Sequence, residues 1–254
     1  MHTRHVVPLG VAGLILATSV AASTASTPPP ELAAAAPMCF GVKSTIVGTS
    51  GRDHLTGTPD HDVIAGLGGR DVVDGRGGDD VICGKGGDRV DAGPGTDFLR
   101  GGAGDDRMGA SAGIGLELLT GGPGDDILRG DRGEDRLVGC EGLNTLRGGR
   151  QNDHLLGGPD PNLLYGGLGA DQMQAGRSHD DALLGGPGPD EMRGGAGDDL
   201  YSGGTGRDRM TDLAGGDDSF DGGHDRNYDV ARAGPGIFDR CVRVTDAYNC
   251  ENID

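Results

Sequence analysis

The chain has 254 residues, of which 53 are glycine, 3% are aromatic and none is tryptophan. That composition excludes a conventional globular core, because glycine is costly to order and brings no side chain to bury. Thirteen prolines without third-residue glycine spacing exclude collagen, and a formal net charge of -18 argues against a nucleic-acid surface or adhesion to anionic lipid.

The N-terminus, "MHTRHVVPLGVAGLILATSVAASTASTPPP", reads as a secretory signal over residues 1–25. Arg4 precedes an apolar run from Val6 to Ala17, and small residues lead to a cleavage point near Ala25. The run is short for a membrane span, and no second long apolar run follows, so no integral span is expected after cleavage. Residues 26–47 form a Pro- and Ala-rich lead-in and N-terminal cap. Secretion makes disulfides reasonable among Cys39, Cys83, Cys140, Cys241 and Cys250. Cys241 and Cys250 are placed to close a short loop; the pairing stays open, and the odd number leaves one thiol free or bonded between molecules.

From residue 48 to about 230 glycine returns every nine residues. Blocks start at Gly48, Gly57, Gly66 and Gly75, then from Gly121 through Gly130, Gly139, Gly148, Gly157 and Gly166, and again at Gly185, Gly194 and Gly203. Position eight of each block is aliphatic, as in Leu55, Ile64, Leu128, Leu137 and Met173. Position six is almost always acidic. The phase slips by one residue near Cys83, breaks at Ala110–Ala112, and gains one residue between Ala175 and Leu184. After Gly222 the pattern decays, and residues 231–254, with alternating apolar residues in "IFDRCVRVTDAY", read as a C-terminal cap, with a disulfide as one option.

A period of nine does not fit a helix, and regular glycine would cost a helix about 1 kcal/mol each. Each nonapeptide instead supplies a six-residue turn and a three-residue strand whose position-eight aliphatic points inward. One unit buries almost nothing alone, so units must stack. Consecutive strands line opposite walls, two nonapeptides make one turn, and residues eighteen apart stack in a parallel ladder about 4.8 Å per rung. Stacked aspartates would repel one another. A hard divalent cation reverses that, and calcium, which accepts six to eight oxygens, suits such a site better than magnesium.

The blocks "GGPGDDILR", "GGAGDDRMG" and "GGAGDDLYS" make this chain resemble the RTX, or haemolysin-type, calcium-binding repeat family, whose nonapeptide is GGxGxDx-aliphatic-x. The resemblance covers about three quarters of the chain. It implies an all-β fold, a parallel β-roll (right-handed β-solenoid) with two nonapeptides per turn, multiple bound calcium ions, and folding driven by calcium outside the cell. By position it implies ligands at Asp53, Asp62, Asp71, Asp80, Asp88, Asp97, Asp106, Asp126, Asp135, Asp153, Asp171, Asp190, Asp199, Asp208 and Asp218. Glu117, Asn144 and Asn162 depart from the pattern, and Asp160 stands where glycine is usual, so weaker or empty sites are expected there.

Catalytic readings have little to stand on. HExxH is absent, and the chain leaves no span for the protease, lipase or toxin domain often joined to such repeats. His54, His61, His154, His179 and His224 are isolated in repeats. "GASAG" around Ser111 matches GxSxG but lacks the preceding strand and following helix that a nucleophile elbow needs. The expectation is a secreted, non-enzymatic, calcium-binding repeat protein with a structural or surface role and calcium ions as partners. The alternative is an extracellular adhesin or matrix-binding module with a cell-surface or matrix ligand; an enzyme with an unrecognised site ranks below both.

Overall fold

The computed structural model describes residues 37–254 apart from 111–114, 178, 213, 226, 236–238, 251 and 254. The signal segment, the lead-in before residue 37 and Ser111 lie outside the described residues. The described elements are all strands. A hairpin of β1 (Met38–Cys39) and β2 (Val42–Lys43) turns through Phe40 and Gly41, both at positive φ. The remaining strands, from β3 (Ile46–Val47) to β26 (Asn252–Ile253), alternate between two parallel twelve-stranded sheets. This is a parallel β-solenoid, the β-roll architecture expected from the repeat.

The register carries the period directly. His54 pairs with Val72, Leu118 with Arg136, and Ile127 with Thr145, each eighteen residues on. Two nonapeptides therefore make one turn. Irregular spacings are absorbed in turns without disturbing the ladder. Val72 pairs with Arg89 across a seventeen-residue step, Arg107 with Ile127 across twenty, and Leu163 with Ala182 across nineteen.

The sequence pattern fades after Gly222, but the ladder does not. Arg209 pairs with Val230 over twenty-one residues, Val230 with Asp246 over sixteen, and Arg240 with Asn252 over twelve. Five strands of one sheet also run longer than the three residues expected: β12 (Ile127–Arg132), β14 (Thr145–Arg150), β16 (Leu163–Leu168), β18 (Ala182–Pro187) and β20 (Leu200–Thr205). There the start of the next glycine turn continues the parallel pairing, as in Asp131 with Gly149 and Gly186 with Gly204. In-phase nonapeptides let successive turns superimpose closely enough to bond.

The position-eight side chains form one core between the sheets. Ile64, Leu99, Leu128, Leu137 and Leu164 are fully buried. Toward the C-terminal end Tyr201 and Phe220 take the aliphatic's place and stack at 4.6 Å between ring centroids. Burying a Leu or Ile contributes roughly 1.5–3 kcal/mol; because each rung offers only one such side chain per wall, no rung is stable alone.

Two disulfides fasten the ends. Cys39–Cys83 joins the hairpin to β7 (Val81–Cys83), with Cα atoms 5.7 Å apart, over a small apolar patch with Val63 and Val81. Cys241–Cys250 links residues in the last rungs, with Cα atoms 5.8 Å apart. Cys140 is the free cysteine.

A candidate metal centre along the inner walls

Strand side chains alternate faces, so a residue two places before an inward aliphatic also points inward. The position-six acids obey this rule. Asp126 and Leu128 are both fully buried, whereas Ile127 is half-buried and Arg129 exposed. The acidic pattern is thus an interior feature. Of the residues expected as ligands, Asp53 is half-buried at the first rungs. Asp62, Asp71, Asp80, Asp88, Asp97, Asp106, Asp126, Asp135, Asp153, Asp171, Asp190, Asp199, Asp208 and Asp218 are buried.

They lie in two columns, each stitched from rung to rung. In one, the backbone N–H of Asp53 donates to Oδ1 of Asp71 at 2.9 Å, Asp71 to Asp88 at 2.8 Å, and Asp106 to Asp126 at 2.9 Å. In the other, Asp135 donates to Asp153 at 2.9 Å, Asp153 to Asp171 at 2.8 Å and Asp190 to Asp208 at 3.0 Å. Position-five acids make an outer ladder running the opposite way. Asp125 N–H donates to Oδ1 of Asp105 at 3.1 Å, and Asp198 N–H to Oδ1 of Asp180 at 2.9 Å. The Asp-Asp pairs of "GGPGDD" therefore clamp neighbouring turns reciprocally, a role for position five that the sequence reading missed.

The second carboxylate oxygen separates the expected ligands into two groups. In Asp71, Asp80, Asp97, Asp106, Asp126, Asp135, Asp153, Asp171, Asp190, Asp208 and Asp218, Oδ2 is buried without a hydrogen-bond partner. In the other four it is held within its own turn. Thr49 donates its N–H at 2.6 Å and its hydroxyl at 2.9 Å to Asp53, and Thr58 does the same for Asp62. Lys85 N–H donates to Asp88 at 3.1 Å, and Gly195 N–H to Asp199 at 3.0 Å.

Buried polar atoms normally find partners, and an unpaired charge in an apolar interior is far costlier than an unpaired neutral group. Burial accordingly pushes Asp171 and Asp208 up to about 6, Asp106 and Asp126 to about 7, and Asp153 and Asp190 to about 8. The accepted backbone N–H opposes each rise, and neighbouring carboxylates add to the rise in Asp106, Asp126, Asp153, Asp190 and Asp208. The group needs a proton or a cation. Its donors are hard oxygens, which fit calcium. Glycine at position one is required: a Cβ on Gly121 would collide with Oδ2 of Asp126 and sit 2.9 Å from the carbonyl oxygen of Gly139.

The departures behave differently from one another. Glu117 is fully buried, with both carboxylate oxygens unpartnered, and burial, then Asp135, pushes it up to about 9. Asn144 and Asn162 turn an amide nitrogen into the turn. Asn144 Nδ2 donates to the carbonyls of Cys140 at 3.2 Å and Gly142 at 2.9 Å, and Asn162 Nδ2 to those of Gly158 at 3.4 Å and Asp160. A neutral donor there satisfies carbonyl oxygens from within the chain. Asp160 itself accepts the N–H of Gly142 at 2.8 Å.

Three inner-column acids were missed. Asp181 accepts Asn162 N–H at 2.7 Å, Asp229 accepts Asp208 N–H at 2.9 Å, and Asp239 accepts Asp218 N–H at 3.0 Å; all are buried. Asp181 was legible from Leu183 two places on. Asp229 and Asp239 precede Ala231 and Cys241, which do not read as repeat aliphatics, and the twenty-one-residue steps hide the phase. Among the described residues no helix is long and apolar enough to cross a membrane.

A search among curated proteins finds no significant match. The comparison with protein families matches the RTX calcium-binding nonapeptide repeat at residues 47–82, 84–117, 111–146, 139–173 and 175–210. With well over half of its length matched and its acids carried on the inner walls of a parallel roll, the chain belongs to the RTX calcium-binding nonapeptide repeat family.

Proposed function

We propose that this is an exported, non-enzymatic protein whose roll folds as its inner carboxylates take up calcium, giving a structural or surface component outside the cell. The observation that carries this reading is the set of eleven buried aspartates with Oδ2 unpartnered. As apo carboxylates they oppose folding; as ligands they would bind only in the folded chain, because stacked turns assemble them. Ions that bind the folded state stabilise it by mass action. The eleven are the stronger candidate ligands. Asp53, Asp62, Asp88 and Asp199, already held by turn donors, are weaker ones. Residues 1–25 would direct export, residues 26–47 would cap the N-terminal end, residues 231–254, which carry the last rungs of the ladder, would cap the C-terminal end, and a chain kept unfolded at low calcium would fold where calcium is abundant.

The test is far-UV circular dichroism of the chelated protein titrated with calcium, with magnesium in parallel. A cooperative gain of β signal with calcium and little with magnesium supports the reading. The same folded spectrum after complete ion removal overturns it.

One observation favours a second reading, a matrix-binding module. In this acidic chain, Arg177, Arg193, Arg209 and Arg232 line one open concavity of about 740 Å³ on the outer face, beside Gln174 and Thr211. Guanidinium groups suit carboxylate and sulfate groups, so the ligand would be an acidic polymer. Retention of the calcium-loaded protein on a heparin-type column, lost in Arg209→Ala/Arg232→Ala, would support it; unchanged elution of that variant would not.

A further inference from the structure

Position one of the nonapeptide is glycine wherever the pattern is regular, because the inner carboxylate fills the space above it. Position one of the block that follows Gly203 is Asp212. Asp212 is buried, 1% exposed, and its side chain turns into the roll. It meets Asp199 and Asp218, two consecutive members of one inner column. One carboxylate oxygen from each of the three lies within 4.8 Å of the others.

Two features show that this arrangement is built. The inward side chain of β20 is a tyrosine rather than an aliphatic, and Tyr201 donates its hydroxyl to Oδ2 of Asp212 at 2.8 Å. Its ring is held by stacking on Phe220. Gly195 N–H is shared between Oδ2 of Asp199 at 3.0 Å and Oδ2 of Asp212 at 3.1 Å. Gly194, one rung before Asp212 in the same wall, leaves the space for these groups, since a Cβ there would collide with Tyr201, Asp199 and Asp212. Asp218 is 1% exposed, and its Oδ2 is buried with no partner. The three Oδ2 atoms share two neutral donors, while the Oδ1 atoms accept backbone N–H groups of Asp181, Ala214 and Asp199, which leaves an excess of negative charge in a buried space.

We propose that Asp212 is a further cation ligand, which turns the place where Asp199 and Asp218 face each other on adjacent rungs into a three-carboxylate site; position one, glycine in the regular repeat, supplies the third carboxylate. Its ligand class is a hard divalent cation, with trivalent lanthanides as stand-ins, since all donors are oxygens. Tyr201 is the positioning residue that holds Asp212. The proposal rests on the calcium reading above, and its test separates the two.

The probe is terbium, added to the full chain and excited through tyrosine. The chain has four tyrosines and no tryptophan; Tyr165 is half-buried, and Tyr228 and Tyr248 are exposed. Tyr201 alone stands at this cluster. Strong sensitised emission is expected, lost in Tyr201→Phe. In Asp212→Gly, which restores the repeat residue, the emission midpoint should weaken at least about tenfold, while the calcium-dependent far-UV change of the parent is retained. Asp212→Asn is the second variant, used if the glycine variant does not fold. An unchanged emission midpoint in the Asp212 variants would overturn the proposal even if calcium folds the protein. A parent that folds identically without ions would instead overturn the wider reading.

Discussion

Asp106 and Asp126 sit one rung apart and are bound in one direction only. The N–H of Asp106 donates to Oδ1 of Asp126 at 2.9 Å, while Oδ2 of Asp126 is buried with nothing to accept. One oxygen of the carboxylate is thus used to hold the solenoid together and the other has no partner; under the proposed function it takes the cation. On that proposal structure and ion binding would meet in one side chain, and the consequences of changing it would depend on whether ions are present.

Asp126→Asn should therefore act with opposite signs in two conditions. With chelator, removing a carboxyl whose charged form is disfavoured should raise the melting temperature by a few degrees, about 1 kcal/mol in a chain of this size. With saturating calcium the same variant should melt lower than the parent and bind one ion fewer. Thermal melts in both buffers check this, and a shift of the same sign in both would refute the dual role.

Stability without ions should fall as pH rises. The folded-state values of the inner carboxyls lie above the ordinary 3.8, at about 6 for Asp171 and about 8 for Asp190. The protonated, neutral form is the one the folded interior favours. Stability is therefore full below about pH 4 and is lost as pH climbs through 6 to 8. A carboxyl moved from 3.8 to about 6 forfeits on the order of 3 kcal/mol once ionised. Urea midpoints of the chelated protein at pH 5 and pH 8 should differ, with the acid one higher; calcium should remove most of the difference.

Asn144→Asp should convert a turn closed by its own amide into one that needs an ion. The carbonyls of Cys140 and Gly142 lose their donor, and a buried carboxylate replaces it. The expected result is one additional bound calcium by isothermal titration, with lower stability in chelator by about 1–3 kcal/mol. An unchanged ion count would mean that the amide is not standing in for a cation.

The Cys39–Cys83 link closes a 44-residue separation, so replacing both residues with serine should cost up to about 4 kcal/mol on loop-closure grounds. Cys140→Ser in the half-buried free thiol should shift stability by only about 0.5 kcal/mol. Denaturant midpoints without reductant compare the two, and equal effects would contradict the fastening role of the first.

Much of this was legible in the sequence, for a physical reason. A nonapeptide repeat must satisfy its backbone by stacking, so period nine with one inward aliphatic specifies two walls and an eighteen-residue register, as the pairing of Leu128 with Leu146 bears out. The same alternation places Asp126 beside Leu128 on the inner face. Tertiary structure alone decided which oxygen atoms remain unsatisfied. That depends on donors reached through space or through a turn's exact path: the Thr49 hydroxyl for Asp53, the Asn144 amide for Cys140 and Gly142, and the Tyr201 hydroxyl for Asp212. It also decided that the roll continues through Asp229 and Asp239, because turns of uneven length can still return a strand to the ladder once neighbouring rungs provide its hydrogen bonds.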